Sequence, residues 1–325
     1  MPMRSPPTKT FPVKAKIVPV KQTTIPAIVT TSPLSIKKLL TVWHNTIVFV
    51  NSRTESTLER RSTLKTMRLI SLNTWCGRSL YPLMRFLSGV KRDIDIFCLQ
   101  EVRNSDQETT DRRHPDEYMC GPLFGKISRE LKEFNGFLAS FEDDPHRMTL
   151  AMFLRKTLPI KEVKDFVVFK PKQISESGGM VFSPRKLQYA VLQCGEKELL
   201  VANYHGLWNA GPKTDTPERI DQSHRIKDFV DVFGGPKIIC GDFNLLPETE
   251  SMSVLEKGMQ NLIKNYRVES TRTLLYRHYK NPSEPNFADY ILASPDVYLL
   301  RFEVLPDMVS DHSPLFLEFE VGSVN

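Results

Sequence analysis

Short apolar or alternating runs recur along most of the chain, at 68–73, 95–101, 148–154, 187–193, 198–205, 237–242, 289–293 and 314–320. Runs of this length, bounded by polar and turn residues, predict β-strands. Between them the spacing predicts helices over Leu80 to Val90, Leu123 to Phe134 and Pro217 to Phe233, and a further helix after Pro247. Thr216 suits the cap of the third helix and Pro217 its first position. Gly195-Glu196-Lys197 is a short link between two strands. Helices interleaved with such strand pairs predict an α/β or α+β class with mixed sheets, not a purely parallel one.

The beginning of the chain follows neither pattern. Residues 1 to 36 are rich in Pro, Thr, Ser and Lys without helical or strand period, and 37 to 66 are only slightly more regular. Met67 opens directly onto the run Arg68-Leu69-Ile70-Ser71-Leu72-Asn73. We therefore place one domain at 67–325 and read 1–66 as a disordered N-terminal extension. A basic tether to an anionic surface, a targeting peptide and a start-site artefact are all open for it, the last being preferred. The longest apolar candidate, Leu39 to Val50, is interrupted by Thr41, His44, Asn45 and Thr46, so no transmembrane helix is expected.

Composition sharpens this picture. With 325 residues, 40% of them hydrophobic, the chain can bury a sizeable core. Its net charge of +6 suggests an anionic partner, but residues 1–66 hold eleven Lys/Arg against two acids, leaving 33 basic and 36 acidic residues beyond. The predicted domain is thus mildly acidic, which disfavours a broad duplex-binding face. The clusters Arg112-Arg113-His114 and Arg272 to Lys280 soften that objection. Five cysteines, Cys76, Cys98, Cys120, Cys194 and Cys240, form no C-x-x-C and sit largely in apolar runs. They read as reduced core thiols in a cytoplasmic protein, and a monomer is the default expectation.

The chemistry-bearing residues lie at strand exits: Asn73, Glu101, Asn203 with His205, Asp242 with Asn244, Asp289, and Asp311 with His312. Four carboxylates, three carboxamides and two imidazoles suit a hard cation, Mg2+ or Mn2+. Such an ion offsets the negative charge of a phosphate ester. No G-x-S-x-G turn is present to supply a serine nucleophile. Asn203 and His205, two apart on a strand, face the same side and form a pair of donors for one phosphate. Taken singly, each has an ordinary reading: an Asx turn for Asp242 and Asn244, a core histidine for His205, a side-chain cap for Asn73. The loop from His205 to Pro217 is the place for substrate recognition, with Trp208 to stack and Lys213 to meet a phosphate. A loop-anchoring tryptophan is the alternative.

Six blocks in order carry a resemblance: Leu72-Asn73-Thr74-Trp75, Leu99-Gln100-Glu101, Asn203-Tyr204-His205, Gly241-Asp242-Phe243-Asn244, Asp289-Tyr290 and Ser310-Asp311-His312. Together they resemble the endonuclease/exonuclease/phosphatase superfamily of metal-dependent phosphoesterases. The resemblance implies a four-layered α/β sandwich of two packed mixed sheets flanked by helices. It implies Glu101 as principal metal ligand, Asn73 ordering the metal shell, and Asp311 reaching the metal through water. Asp242 would orient or deprotonate the attacking water, Asn244 would hold the phosphate or the water, and Asp289 would fix His312. Where some relatives carry a second acid two residues after the asparagine, this chain has Trp75. The expected function is divalent-metal-dependent hydrolysis of a phosphate ester, preferably a diester of nucleic-acid, nucleotide or phospholipid type. A phosphomonoesterase of the same fold and a catalytically silent binding module are the alternatives.

Overall fold

The computed structural model describes residues 65–106, 109–110, 118–139, 141, 147–171, 183–209, 211–277 and 286–321. The extension before Lys65, the Arg112-Arg113-His114 cluster and the end of the Arg272 to Lys280 cluster lie outside them.

Fourteen strands are present among the described residues. They are β1 (Lys65–Asn73), β2 (Ile96–Val102), β3 (Thr109–Thr110), β4 (Tyr118–Met119), β5 (Phe134–Leu138), β6 (Thr149–Arg155), β7 (Ile160–Phe169), β8 (Arg185–Cys194), β9 (Lys197–His205), β10 (Lys237–Asp242), β11 (Gln260–Asn261), β12 (Asp289–Ala293), β13 (Val297–Val304) and β14 (Leu315–Val321). The helices are α1 (Leu80–Val90), α2 (Leu123–Glu130), α3 (Pro217–Val232), α4 (Glu250–Glu256) and α5 (Leu262–Asn265). A single 3-10 turn, Trp75–Gly77, follows β1.

Twelve strands make the frame: one sheet runs β13-β14-β1-β2-β6-β5, the other β11-β12-β10-β9-β8-β7, and β3 pairs with β4 apart from them. Each has one parallel pair, β1 with β2 and β9 with β10, so both are mixed, as the sequence pattern implies. Side-chain alternation explains the layering. Met67 and Leu69 of β1 join the core between the sheets, while Ile70 and Leu72 join a second core under α1 and α2. On the other side, Ile226 and Val230 of α3, Met252 and Leu255 of α4, and Leu262 of α5 cover the second sheet. The result is the four-layered α/β sandwich.

Local signals account for most boundaries. Thr216 accepts from the Arg219 N–H at 3.3 Å with Pro217 behind it, and Thr249 accepts from Met252 N–H at 3.3 Å. Each such cap contributes about 1 kcal/mol. The link predicted at Gly195 is a tight hairpin, with Cys194 paired to Lys197 and Gly195 at φ 62°. Two expectations are corrected. The helix expected over Leu123 to Phe134 stops at Glu130, and Phe134 instead begins β5. The first strand starts two residues before Met67, because Lys65 and Thr66 pair with Val321 and Glu320.

Candidate active site

The two sheets deliver their polar residues to one end of the sandwich. In the second sheet Asp289 of β12 pairs with Asp242 of β10, which pairs with His205 of β9, so three neighbouring strands set these side chains in a row. Close approach of the strand exits depends on glycine. A Cβ at Gly241, which has φ 141°, would lie 1.9 Å from the Tyr204 carbonyl oxygen, and one at Gly206 would lie 2.0 Å from that of Phe243. Neither position admits a side chain without moving the backbone.

The first sheet supplies Asn73 and Glu101. Ile96 and Cys98 point between the sheets, while Phe97 and Leu99 point to the helices, so strict alternation would turn Glu101 toward the helices. The β2–β6 register slips between Leu99 and Val102, and Glu101 takes the left-handed conformation, φ 57°. This bulge swings the carboxylate toward the second sheet, where its Oε1 lies 4.0 Å from His205 Nε2. Thr74 pins the bulge by donating its hydroxyl to the carbonyls of Gln100 and Glu101.

Asp242 is the focus of the site. Its Oδ1 accepts the Asn244 N–H at 3.0 Å, and Oδ2 accepts from Asn73 Nδ2 at 2.9 Å. His205 Nε2 and His312 Nε2 lie 3.6 Å and 3.5 Å from the same Oδ2. Burial opposes its ionisation, yet His312, His205, Arg272 and Lys213 together hold the carboxyl well below the ordinary range. Asp242 is therefore an anion suited to orienting a proton donor. The Asn244 contact is the Asx turn itself, so the local structural reading and the site reading hold together.

His312 is oriented by Asp289, whose two oxygens lie 2.9 Å and 2.8 Å from Nδ1. That leaves Nε2 facing Asp242, with Asp311 Oδ1 3.7 Å away. Burial and Arg272 disfavour the imidazolium, but Asp289, Asp311 and Asp242 outweigh them and raise its pKa. Burial raises the Asp289 carboxyl in turn, against the pull of His312. His205 behaves oppositely: burial, followed by Arg185, pushes its pKa down to about 3, so it is neutral. At 3.6 Å it forms no ion pair with Asp242.

Glu101, Asn73, Asp311, Asp242, Asn244, His205, Asp289 and His312 thus come together. Asn203 does not join them. Alternation does place it on the same face as His205, but one layer deeper. Its Oδ1 accepts from Gln100 Nε2 at 2.8 Å, and its Nδ2 donates to the carbonyls of Leu99 and Ala151 at 3.1 Å and 3.2 Å. All its polar capacity serves to tie the two sheets together, which corrects the expectation of a phosphate donor. Lys213 is also largely withdrawn: its Nζ donates to the Phe287 carbonyl at 2.7 Å and lies 5.5 Å from the Tyr276 ring. Trp208 is half-buried on the same loop, which Arg219 anchors by donating to the carbonyls of Leu207 and Pro212 at 3.2 Å and 2.8 Å.

Two arginines were missed. Arg272 donates to Asp311 Oδ2 at 2.8 Å, and its guanidinium lies 4.3 Å from the Tyr276 ring. The segment carrying it is threaded between Asp289 and His312: Thr271 Oγ1 accepts from Asp289 N–H, and Ser313 N–H donates to the Thr271 carbonyl. The only signal was its place in a basic cluster. Arg185 opens β8 and is 7% exposed.

Lys213 gives one prediction. Burial, followed by Arg272, pushes its pKa down to about 7. Between that value and the ordinary lysine range the unfolded chain binds a proton that the folded protein does not, so stability rises with pH across this window. In Lys213→Met that rise should be missing from urea melts run between pH 7 and 10. A slope equal to that of the parent protein would place the lysine in solvent.

A cation fits the donor set. Glu101 is half-buried, with Oε1 4.0 Å from the neutral His205; burial followed by Asp311 raises its pKa, against the pull of His312. A half-buried carboxylate in that position is suited to a hard divalent ion. Asp242, Asp289 and His312 also offer ligand atoms within 4.8 Å of one another. His312 Nδ1 is already engaged by Asp289, which leaves its Nε2 as the nitrogen that faces the cluster.

Solved structures share the fold. An endonuclease/exonuclease/phosphatase family protein from Bacteroides thetaiotaomicron is 18% identical with a TM-score of 0.60, over 80% of this chain and 99% of that one. The mannosyl-6-phosphatase of Bacteroides thetaiotaomicron is 19% identical with a TM-score of 0.59, over 78% and 99%. The D. rerio protein TDP2, complexed with a single-strand DNA product, is 15% identical with a TM-score of 0.57, over 78% and 99%. A comparison with curated proteins finds no match in sequence. No helix among the described residues is long and apolar enough to cross a membrane. The sequence profile of the Endonuclease/Exonuclease/phosphatase family matches residues 70–312, from the first strand to His312, and the chain belongs to that family.

Proposed function

We propose that this protein hydrolyses a phosphodiester with the help of a divalent cation, Mg2+ or Mn2+, through a water molecule oriented by Asp242. The observation that supports the reading is the convergence of Asn73, His205 and His312 on Asp242 Oδ2, beside a half-buried Glu101 that forms no ion pair with a lysine or arginine among the described residues. Glu101 and Asn73 would hold the ion, with Asp311 behind them. Bound there, the ion supplies positive charge to the phosphate oxygens.

The chain's own groups do the rest. Asp242, held ionised, accepts a hydrogen bond from the attacking water and aligns it. His312, fixed by Asp289 and favoured in its protonated form, donates from Nε2 to a non-bridging oxygen, where charge accumulates. Asn244 offers its amide to the same region. Trp208 on the loop beyond His205 supplies an apolar surface for the alcohol side of the ester. The mildly acidic composition beyond residue 66 favours a small or single-stranded substrate over a long duplex. The DNA product in the D. rerio relative is consistent with a diester.

The test is hydrolysis of bis(p-nitrophenyl) phosphate by the full chain. Activity should vanish on chelation and return with Mg2+ or Mn2+. In Glu101→Gln the cation concentration for half-maximal rate should rise about tenfold or more. Turnover that persists in chelator would remove the cation from the reading, and hydrolysis of p-nitrophenyl phosphate alone would replace the diester with a monoester.

A further inference from the structure

Arg185 has a solvation that a structural arginine would not have. It is 93% buried by the exposure given above, and its Nε is shielded from solvent without a hydrogen-bond partner. No carboxylate lies within ion-pair distance of its guanidinium among the described residues, whereas Arg272 is matched by Asp311 at 2.8 Å. A buried cation in this state is costly unless something else neutralises it.

Its place in the fold says what that is. β8 runs antiparallel to β9, with Leu187 opposite Tyr204, so the first residue of β8 lies at the same end of the sheet as His205, the last residue of β9. By that register Lys186 falls opposite His205 and Arg185 one residue beyond it, so a fourth strand brings Arg185 to the end of the sheet that holds Asp289, Asp242 and His205, close enough for its charge to act on His205. Arg272 stands at the Asp311 end of the row and Arg185 at the other.

Resting on the phosphoesterase reading, we propose that Arg185 is a substrate-binding residue whose guanidinium takes phosphate oxygens at the β8 side of the site. The fork geometry of a guanidinium matches two oxygens of one phosphate. The electrostatics agree: burial outweighs the attraction of Glu101 and Asp242 and holds the arginine below its ordinary range, so the site without an anion favours its removal. An incoming phosphate reverses that balance.

The experiment is calorimetric titration of the full chain with inorganic phosphate, with and without Mg2+, beside Arg185→Met and Arg185→Gln. Both variants should weaken phosphate binding about tenfold or more, and Arg185→Met should melt at or above the parent temperature. Bis(p-nitrophenyl) phosphate should show a raised KM with a smaller change in kcat. Should Arg185→Met not melt cooperatively, Arg185→Gln, which keeps length and polarity, decides alone. Equal phosphate affinity in parent and variant, or no phosphate binding by the parent, overturns the proposal. The two readings fail separately. Ester turnover with phosphate binding independent of Arg185 removes only the arginine's role. Phosphate binding that needs Arg185, without turnover of any ester, removes only the hydrolase.

Discussion

Asp242→Asn should lower kcat for bis(p-nitrophenyl) phosphate by about 10^3-fold or more while leaving the protein folded. The substitution keeps the volume of a fully buried side chain, and its amide oxygen can still accept the Asn244 N–H now seen at 3.0 Å. What disappears is the negative charge at the corner where Asn73, His205 and His312 meet. A water there would no longer find a strong acceptor, and the positive groups around it would lose the anion they face. KM should move little, since the loss falls on the transition state. A variant that keeps more than about a tenth of the parent kcat would show that Asp242 only shapes the strand exit.

The second large effect is expected from Asp289→Asn. Asp289 accepts from His312 Nδ1 through two close contacts and is the foremost of the groups that favour the imidazolium. An asparagine can satisfy Nδ1 with its NH2 group, which turns Nδ1 into an acceptor and removes the stabilising charge. The loss in kcat should be about 10^2- to 10^4-fold. The pH profile carries the sharper sign. With its pKa raised in the folded protein, His312 stays protonated to higher pH, and a rate needing the imidazolium falls as pH passes that value. In Asp289→Asn this falling limb should shift to lower pH. An unmoved limb would mean that some other group titrates there.

The fold was legible where strands are central and obscure where they are edges. All eight apolar runs became strands, but β5, β7, β11 and β13 were not anticipated, and these are the four edges of the two sheets. β7, with Lys161, Glu162, Lys164 and Asp165, shows why: an edge strand faces water and carries charge that breaks the apolar run. Phe134, the first residue of β5, was similarly absorbed into the preceding helix.

The same geometry explains what was seen of the site. Looking at strand exits finds residues whose strands run toward the active end, such as Asn73, His205 and Asp242. Strands that run the other way contribute their first residues to that end: Asp289 opens β12 and is a strand entry, not the exit expected, and Arg185, which opens β8, was overlooked. Arg272 escaped because it lies on an irregular segment whose position is set by Thr271 contacts, not by any periodicity. Asn203 was misplaced for a related reason. Period two assigns a face but not a depth, and two residues along a strand are about 7 Å, enough to separate the mouth from the interior.

That interior amide has an effect on how the protein can change. Asn73 and Glu101 arrive on one sheet and His205, Asp242 and Asp289 on the other, so a slip of either sheet would dismantle the cluster. Asn203, with Gln100 and Gln188, forms a hydrogen-bonded rivet through the apolar seam directly beneath them. Because alignment is secured from below, the loops above are relieved of that task. New substrates can be accommodated by redrawing the rim while the working parts stay in register.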